Sequence, residues 1–191
     1  MSQMGKVLCK IRNNNKLTMG KARKITPEYL HRAALFYLER YAASAEGVRR
    51  VLRRRIERAV REGIADREAA SALVDPVVIR LQNAGLLDDK AFAETKAVSL
   101  FRQGRPPSVI RRRLGLLGVG EGEIDAALAA LSDENENMEI EAARTLVRRR
   151  RLGHFRPEEK REEFRQKDLA TMARAGFSFD VAKRALAGEE E

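Results

Sequence analysis

Apolar positions recur every three or four residues along most of the chain, and the breaks in that pattern fall at regular intervals. Leu30, Ala34, Tyr37, Leu38 and Tyr41 share one helical face. The spacing predicts a first helix, with Thr26 as N-cap and Pro27 in the first helical position. Val48, Leu52, Ile56 and Ala59 make the stripe of a second helix, which Ser44 can cap and which ends near Gly63. Ala69, Ala70, Leu73, Val77 and Leu81 mark a third over about residues 66–83. Pro76 sits inside it with no N–H to donate, so a kink is expected there, or a break with Asp75 capping a new helix.

The plan then repeats. Asp88 or Asp89 caps a helix with Phe92, Ala93, Ala97, Leu100 and Phe101 inward. Arg105, Pro106 and Pro107 turn the chain into a helix with Ile110, Leu114 and Leu117 inward, which Gly118 ends as a left-handed cap. Ile124, Leu128 and Leu131 supply the third helix of this unit. After an acidic linker at residues 133–137, Ile140, Ala143, Leu146 and Val147 open another helix, closed by Arg148, Arg149, Arg150 and Arg151. A connector with Gly153 and Pro157 leads to a helix over about residues 159–174. The segments GIADREAASAL from Gly63, GVGEGEIDAAL from Gly118 and GFSFDVAKRAL from Gly176 align without gaps. Each opens on glycine and an apolar residue and closes on Ala-Leu.

The expected fold is therefore all-α, an elongated array of three tandem three-helix modules with about nine helices, whose neighbours complete one another's cores. Residues 1–24 form a basic flexible arm. The modules span 25–83, 84–132 and 133–191, the last ending in an acidic tail.

Composition agrees with helices. Hydrophobic positions make up 43% of the 191 residues, aromatics only 5%, and Trp is absent, which leaves little for the aromatic and β-branched alternation of a sheet. The net charge of +10 and a pI near 10.2 favour an anionic partner. Most of the excess lies in residues 1–24, at +7. The three modules carry +3 (25–81), +1 (82–131) and −1 (132–191), so basic surfaces on the body have to be local. The single cysteine, Cys9, cannot form an intramolecular disulfide and reads as an inert thiol in a reducing compartment. No apolar run approaches the roughly 20 residues of a membrane span and no signal-peptide core follows the N-terminus, so a soluble, cytoplasmic protein is expected.

The inventory for catalysis is thin. His31 and His154 lie far apart, no Cys/His cluster has metal-ligand spacing, and neither GxxxxGK[ST] nor GxGxxG occurs. GVGEGE at residues 118–123 carries two acids that would repel a phosphate and reads as a helix boundary. Asp88 and Asp89 read as helix starters, and Glu134, Glu136, Glu139 and Glu141 as a solvated linker and first turn. No enzyme activity, metal, cofactor or small-molecule substrate is expected. The remaining signal is arginine, whose planar fork of donors matches phosphate and carboxylate. Arg111, Arg112 and Arg113, with Arg148, Arg149, Arg150 and Arg151, are the first candidates for a contact surface, and Arg49, Arg50, Arg53 and Arg54 come next. The competing reading is a set of solvated faces. Arg148 to Arg151 can also serve the dipole at a helix C-terminus, worth roughly 0.3–1 kcal/mol.

GLLDDKAFA (residues 85–93), IRRRLGLLGV (110–119), KDLATMARAGFSFDVAKRAL (167–186) and YLHRAALFYLERYAASAEGVRRVLRRRI (29–56) resemble the bacterial regulatory family RecX, over about residues 26–187. The resemblance implies nine helices in three modules, no catalysis, and binding in the groove of the RecA filament on single-stranded DNA. There the family restrains filament growth, ATP hydrolysis, strand exchange and co-protease function. A monomer is expected, without membrane contact. Three features depart from the family: the apolar Gly115-Leu116-Leu117, Pro76, and the arm. A different class of function is a helical nucleic-acid-binding protein acting mainly through phosphate contacts. With so few aromatics for base stacking, backbone contacts would dominate it. A purely structural helical scaffold is the third reading.

Overall fold

The computed structural model describes residues 24–134 and 137–188. The expected arm at 1–24 lies outside them except for Lys24, as do Cys9, Glu136 and the acidic residues 189–191. Among the described residues there are α-helices, one short 3-10 turn and no strands.

Three helix starts are set by the capping side chains named from sequence. Helix α1 (Pro27–Leu38) starts with Thr26 Oγ1 accepting the N–H of Tyr29, and α2 (Ala45–Arg61) with Ser44 Oγ accepting that of Gly47. Tyr41 lies beyond the end of α1 and is exposed, so it is not part of the α1 stripe. The third helical region of the first module is in two pieces, α3 (Arg67–Ser71), capped by Asp66, and α4 (Val74–Asn83). The expected cap at Asp75 is not made. The chain breaks two residues earlier, and Leu73 precedes α4 without a side-chain cap. The reason is steric: a proline ring clashes with the carbonyl four residues before it, whereas in the first turn its missing N–H costs nothing. Breaking at Ala72 and Leu73 gives Pro76 such a place.

In the second module Asp88 caps α5 (Asp89–Phe101) through the N–H of Ala91, followed by α6 (Pro107–Leu116) and α7 (Glu121–Glu134). The third module has α8 (Met138–Arg150), a 3-10 turn at Gly153–Phe155, α9 (Glu158–Ala175) and α10 (Phe179–Ala187). With α3 and α4 taken as one interrupted helix, the described residues hold nine.

The repeat is visible in the backbone. Gly63, Gly118 and Gly176 all have positive φ, and each ends the second helix of its module with the same pair of bonds. The glycine N–H reaches back three residues (Val60, Gly115 and Ala173), and the next N–H reaches back five, from Ile64 to Ala59, Val119 to Leu114 and Phe177 to Met172. This closure recovers carbonyls that a helix end leaves unpaired.

Each module has its own apolar core. Leu30, Val48, Leu52, Ile56, Val77 and Leu81 anchor the first. Ala97, Leu100, Ile110, Leu114, Ile124 and Leu131 anchor the second, and Ile140, Ala143, Val147, Met172, Phe177 and Ala182 the third. Neighbours share residues: Leu87 packs into the first core, Met138 into the second, and Phe101 against the second and third. Among the described residues no helix is long and apolar enough to cross a membrane.

Candidate functional site

Most arginines of the first cluster are engaged inside the protein. Glu46, in the first turn of α2, lies 3.1 Å from Arg53 and 3.4 Å from Arg50. Arg49 Nε donates to Asp75 at 2.7 Å and so ties α2 to α4. Arg50 also donates to the Leu116 carbonyl at 2.6 Å, across the joint with the second module. At the same joint Ser44 Oγ donates to the Leu117 carbonyl, and Asp89 Oδ1 accepts the Ala45 N–H at 2.7 Å. The two acids read from sequence as alternative caps thus divide the work, Asp88 capping its own helix and Asp89 the helix of its neighbour. Arg54 remains exposed, with no ion pair among the described residues.

The second cluster divides. Consecutive residues on a helix are about 100° apart, so three in a row cannot all point the same way. Arg111 turns toward α7, where it donates to Glu121 at 2.9 Å and to Asp125. The hydrogen bond with Asp125 is the main reason its pKa rises above the ordinary arginine value. Arg112 and Arg113 are exposed with no carboxylate partner among the described residues, and the same holds for Arg148, Arg149, Arg150 and Arg151.

These two runs meet around Arg105, a residue that sequence reasoning placed only in a turn. Gly104, with φ of +74°, lets the α5–α6 turn press on the backbone of α8. A Cβ there would sit 2.7 Å from the Leu146 nitrogen and 2.9 Å from the Ala142 oxygen. The half-buried Arg105 is thereby brought beside Arg113 of α6 and Arg149 and Arg150 of α8, and its Nε is buried with no hydrogen-bond partner. Burial first, then the repulsion of Arg113, Arg150 and Arg149, pulls its pKa below the ordinary arginine value, the opposite of Arg111. A guanidinium stays protonated under such stress, so an anion bound there would relieve the repulsion. The arrangement offers several forks to one phosphate or carboxylate at the joint of the second and third modules. The one sequence signal for it is an arginine in the turn between two basic runs.

Arg151 adds a further sign of strain. Its φ is +53°, among the described residues the one positive φ outside glycine, at the position where α5 of the preceding module has Gly104. Left-handed backbone costs an L-residue roughly 1–2 kcal/mol.

Such a fold and surface define an all-helical tandem-repeat protein with an unneutralised arginine patch at a module joint. The chain belongs to the RecX family of regulatory proteins. A Regulatory protein RecX from Myxococcus xanthus (strain DK1622) is 43% identical over 167 residues, 87% of this chain and 88% of its own length. One from Halorhodospira halophila is 34% identical over 155 residues, 78% of this chain and 92% of its own length. No protein-family model matches the chain. Among solved structures, a crystal structure of regulatory protein RecX aligns with 97% of this chain and 86% of its own, at a TM-score of 0.55 and 24% identity. RecX from Lactobacillus salivarius aligns at a TM-score of 0.54 and 18% identity, over 85% and 95%. Those two likenesses establish the fold.

Proposed function

We propose that this chain binds the RecA recombinase filament on single-stranded DNA and restrains its growth, ATP hydrolysis, strand exchange and co-protease activity, modulating recombination and repair. It acts by binding, without catalysis or a cofactor. Membership of a family of regulatory proteins supports the role, and the observation that carries the site is the unpaired Arg105 among Arg113, Arg149 and Arg150. A nucleoprotein filament presents DNA phosphates and acidic side chains along a helical groove, and forks at a rigid module joint fit either. Arg112, Arg148 and Arg151 extend the surface. Arg49, Arg50, Arg53 and Arg111 have internal partners and serve mainly to fix the helices that present it.

The test is the DNA-dependent ATPase of RecA, measured with substoichiometric amounts of this protein near physiological salt. Inhibition is expected. Reversing Arg113, Arg149 and Arg150 to Glu should weaken it at least tenfold, which is about 1.4 kcal/mol of binding. A folded triple variant that inhibits fully rejects the assignment. Direct nucleic-acid binding as the main activity predicts instead tight binding to naked strands, with a log–log salt slope of roughly −0.7 per neutralised phosphate.

A further inference from the structure

A second feature of the third module is built with more care than packing requires. The 3-10 turn Gly153–Phe155 is held from beneath by Asp168, which is almost fully buried. Its carboxylate accepts the Gly153 N–H at 2.9 Å and both Nε and Nη2 of Arg156, at 2.7 and 2.8 Å. Arg161 ties the turn from the other side by donating to the carbonyls of His154 and Arg156. The Arg156 guanidinium also lies over an aromatic face, 4.4 Å from the Phe164 ring centre. Gly153 presses so close to α10 that a Cβ would sit 2.3 Å from the Leu186 oxygen.

What this frame holds out is an aromatic pair. The His154 and Phe155 rings are 4.1 Å apart, and Phe155 is 44% exposed. They border an open cleft of about 360 Å³ against α8, where Glu141, Thr145 and Arg148 also line the wall. The His154 Nδ1 is buried without a hydrogen-bond partner. Arg148 belongs to the same helix end as Arg149 and Arg150 and gives the cleft a cation of its own.

We infer that this cleft takes one nucleotide of a single-stranded nucleic acid, its base stacked on Phe155 and its phosphate on Arg148. The volume lies in the range of small-ligand sites and is too small for a docked helix. A rigid, exposed ring beside a cation is the pairing that single-strand binding uses, with any base able to stack on the ring face. Thr145 supplies a polar contact for a base edge, and Glu141 suits an exocyclic amino group. The scarcity of aromatics, which favoured backbone contact alone, is offset by the placement of this one.

The inference is independent of any action on RecA, because its test uses nucleic acid alone. Fluorescence anisotropy compares the full chain binding a labelled oligothymidylate with its binding an abasic strand of the same length and charge. The base-bearing strand should bind about tenfold more tightly. Phe155→Ala should abolish that preference while leaving abasic-strand binding unchanged, and Phe155→Tyr should keep it. In a second measurement, a strand carrying 5-iodouracil should photocrosslink to Phe155 or His154. Equal binding of the two strands, a preference that survives Phe155→Ala, or crosslinks confined to other residues would overturn the proposal, and a cleft that serves a peptide gives the first of these.

Discussion

The arginines at the first module joint and those at the second have the same chemistry and opposite circumstances. At the first, Glu46 and Asp75 neutralise Arg49, Arg50 and Arg53, and Arg50 is further held by a backbone carbonyl. At the second, Arg105, Arg113, Arg149 and Arg150 converge with no carboxylate partner among the described residues. A run of arginine letters therefore carries no fixed meaning. What separates structural cations from available ones is the position of the acids, and that is a tertiary property. Helix α6 holds both kinds within three residues, Arg111 paired and Arg113 unpaired.

Removing a partner from a paired arginine should therefore cost stability, whereas removing an unpaired arginine should cost function. The largest effect should come from Asp168→Ala, which strands Arg156 and frees the Gly153 N–H, a loss of about 3 kcal/mol in chemical denaturation. The pH dependence has a definite sign. Burial alone would raise the Asp168 pKa, but Arg156 and the Gly153 N–H outweigh it and hold the carboxyl below its usual value. The group therefore contributes stability that is fully present above its unfolded pKa of about 3.9 and is lost as pH falls through the lower folded value. Acid titration of the variant should lack that component.

Glu46→Ala should cost about 1 kcal/mol from its ion-pair network and helix-start charge, leaving ATPase inhibition unchanged at a concentration where the protein is folded. Lost inhibition there would break the distinction between the joints. Arg151→Gly should raise the midpoint of denaturation, by about 1 kcal/mol in free energy, because glycine relieves the left-handed backbone. The smallest stability change is expected for Arg113→Gln, within about 0.5 kcal/mol and in the stabilising direction, since it removes repulsion from Arg105. The same variant should weaken inhibition. A marked loss of stability instead would place Arg113 among the structural arginines.

Much of the fold was legible because helix boundaries are local. Thr26, Ser44 and Asp88 cap where their chemistry and spacing say they should, and Gly118 ends its helix in the left-handed form expected of it. Pro76 was legible as a disruption but not in its position, because the chain could meet the clash by kinking, by capping at Asp75 or by breaking earlier. The candidate surface was harder to read. Arg111 and Arg113 look alike until Glu121 and Asp125 are placed, and Arg105 gains its setting from Gly104 pressing on a helix some forty residues away in sequence. The Asp168 frame beneath His154 and Phe155 joins residues more than ten apart with no periodic signal.

The cap that Asp89 gives to α2 has a consequence for how the molecule comes apart. The first turn of α2 depends on a side chain that belongs to the next module, and Ser44 answers by holding the end of α6. Repeat arrays with weak interfaces melt in stages, one unit after another, whereas strong coupling between nearest neighbours merges the stages into one. Loss of order in the second module would leave α2 without its start, so the first two modules should unfold in a single cooperative step.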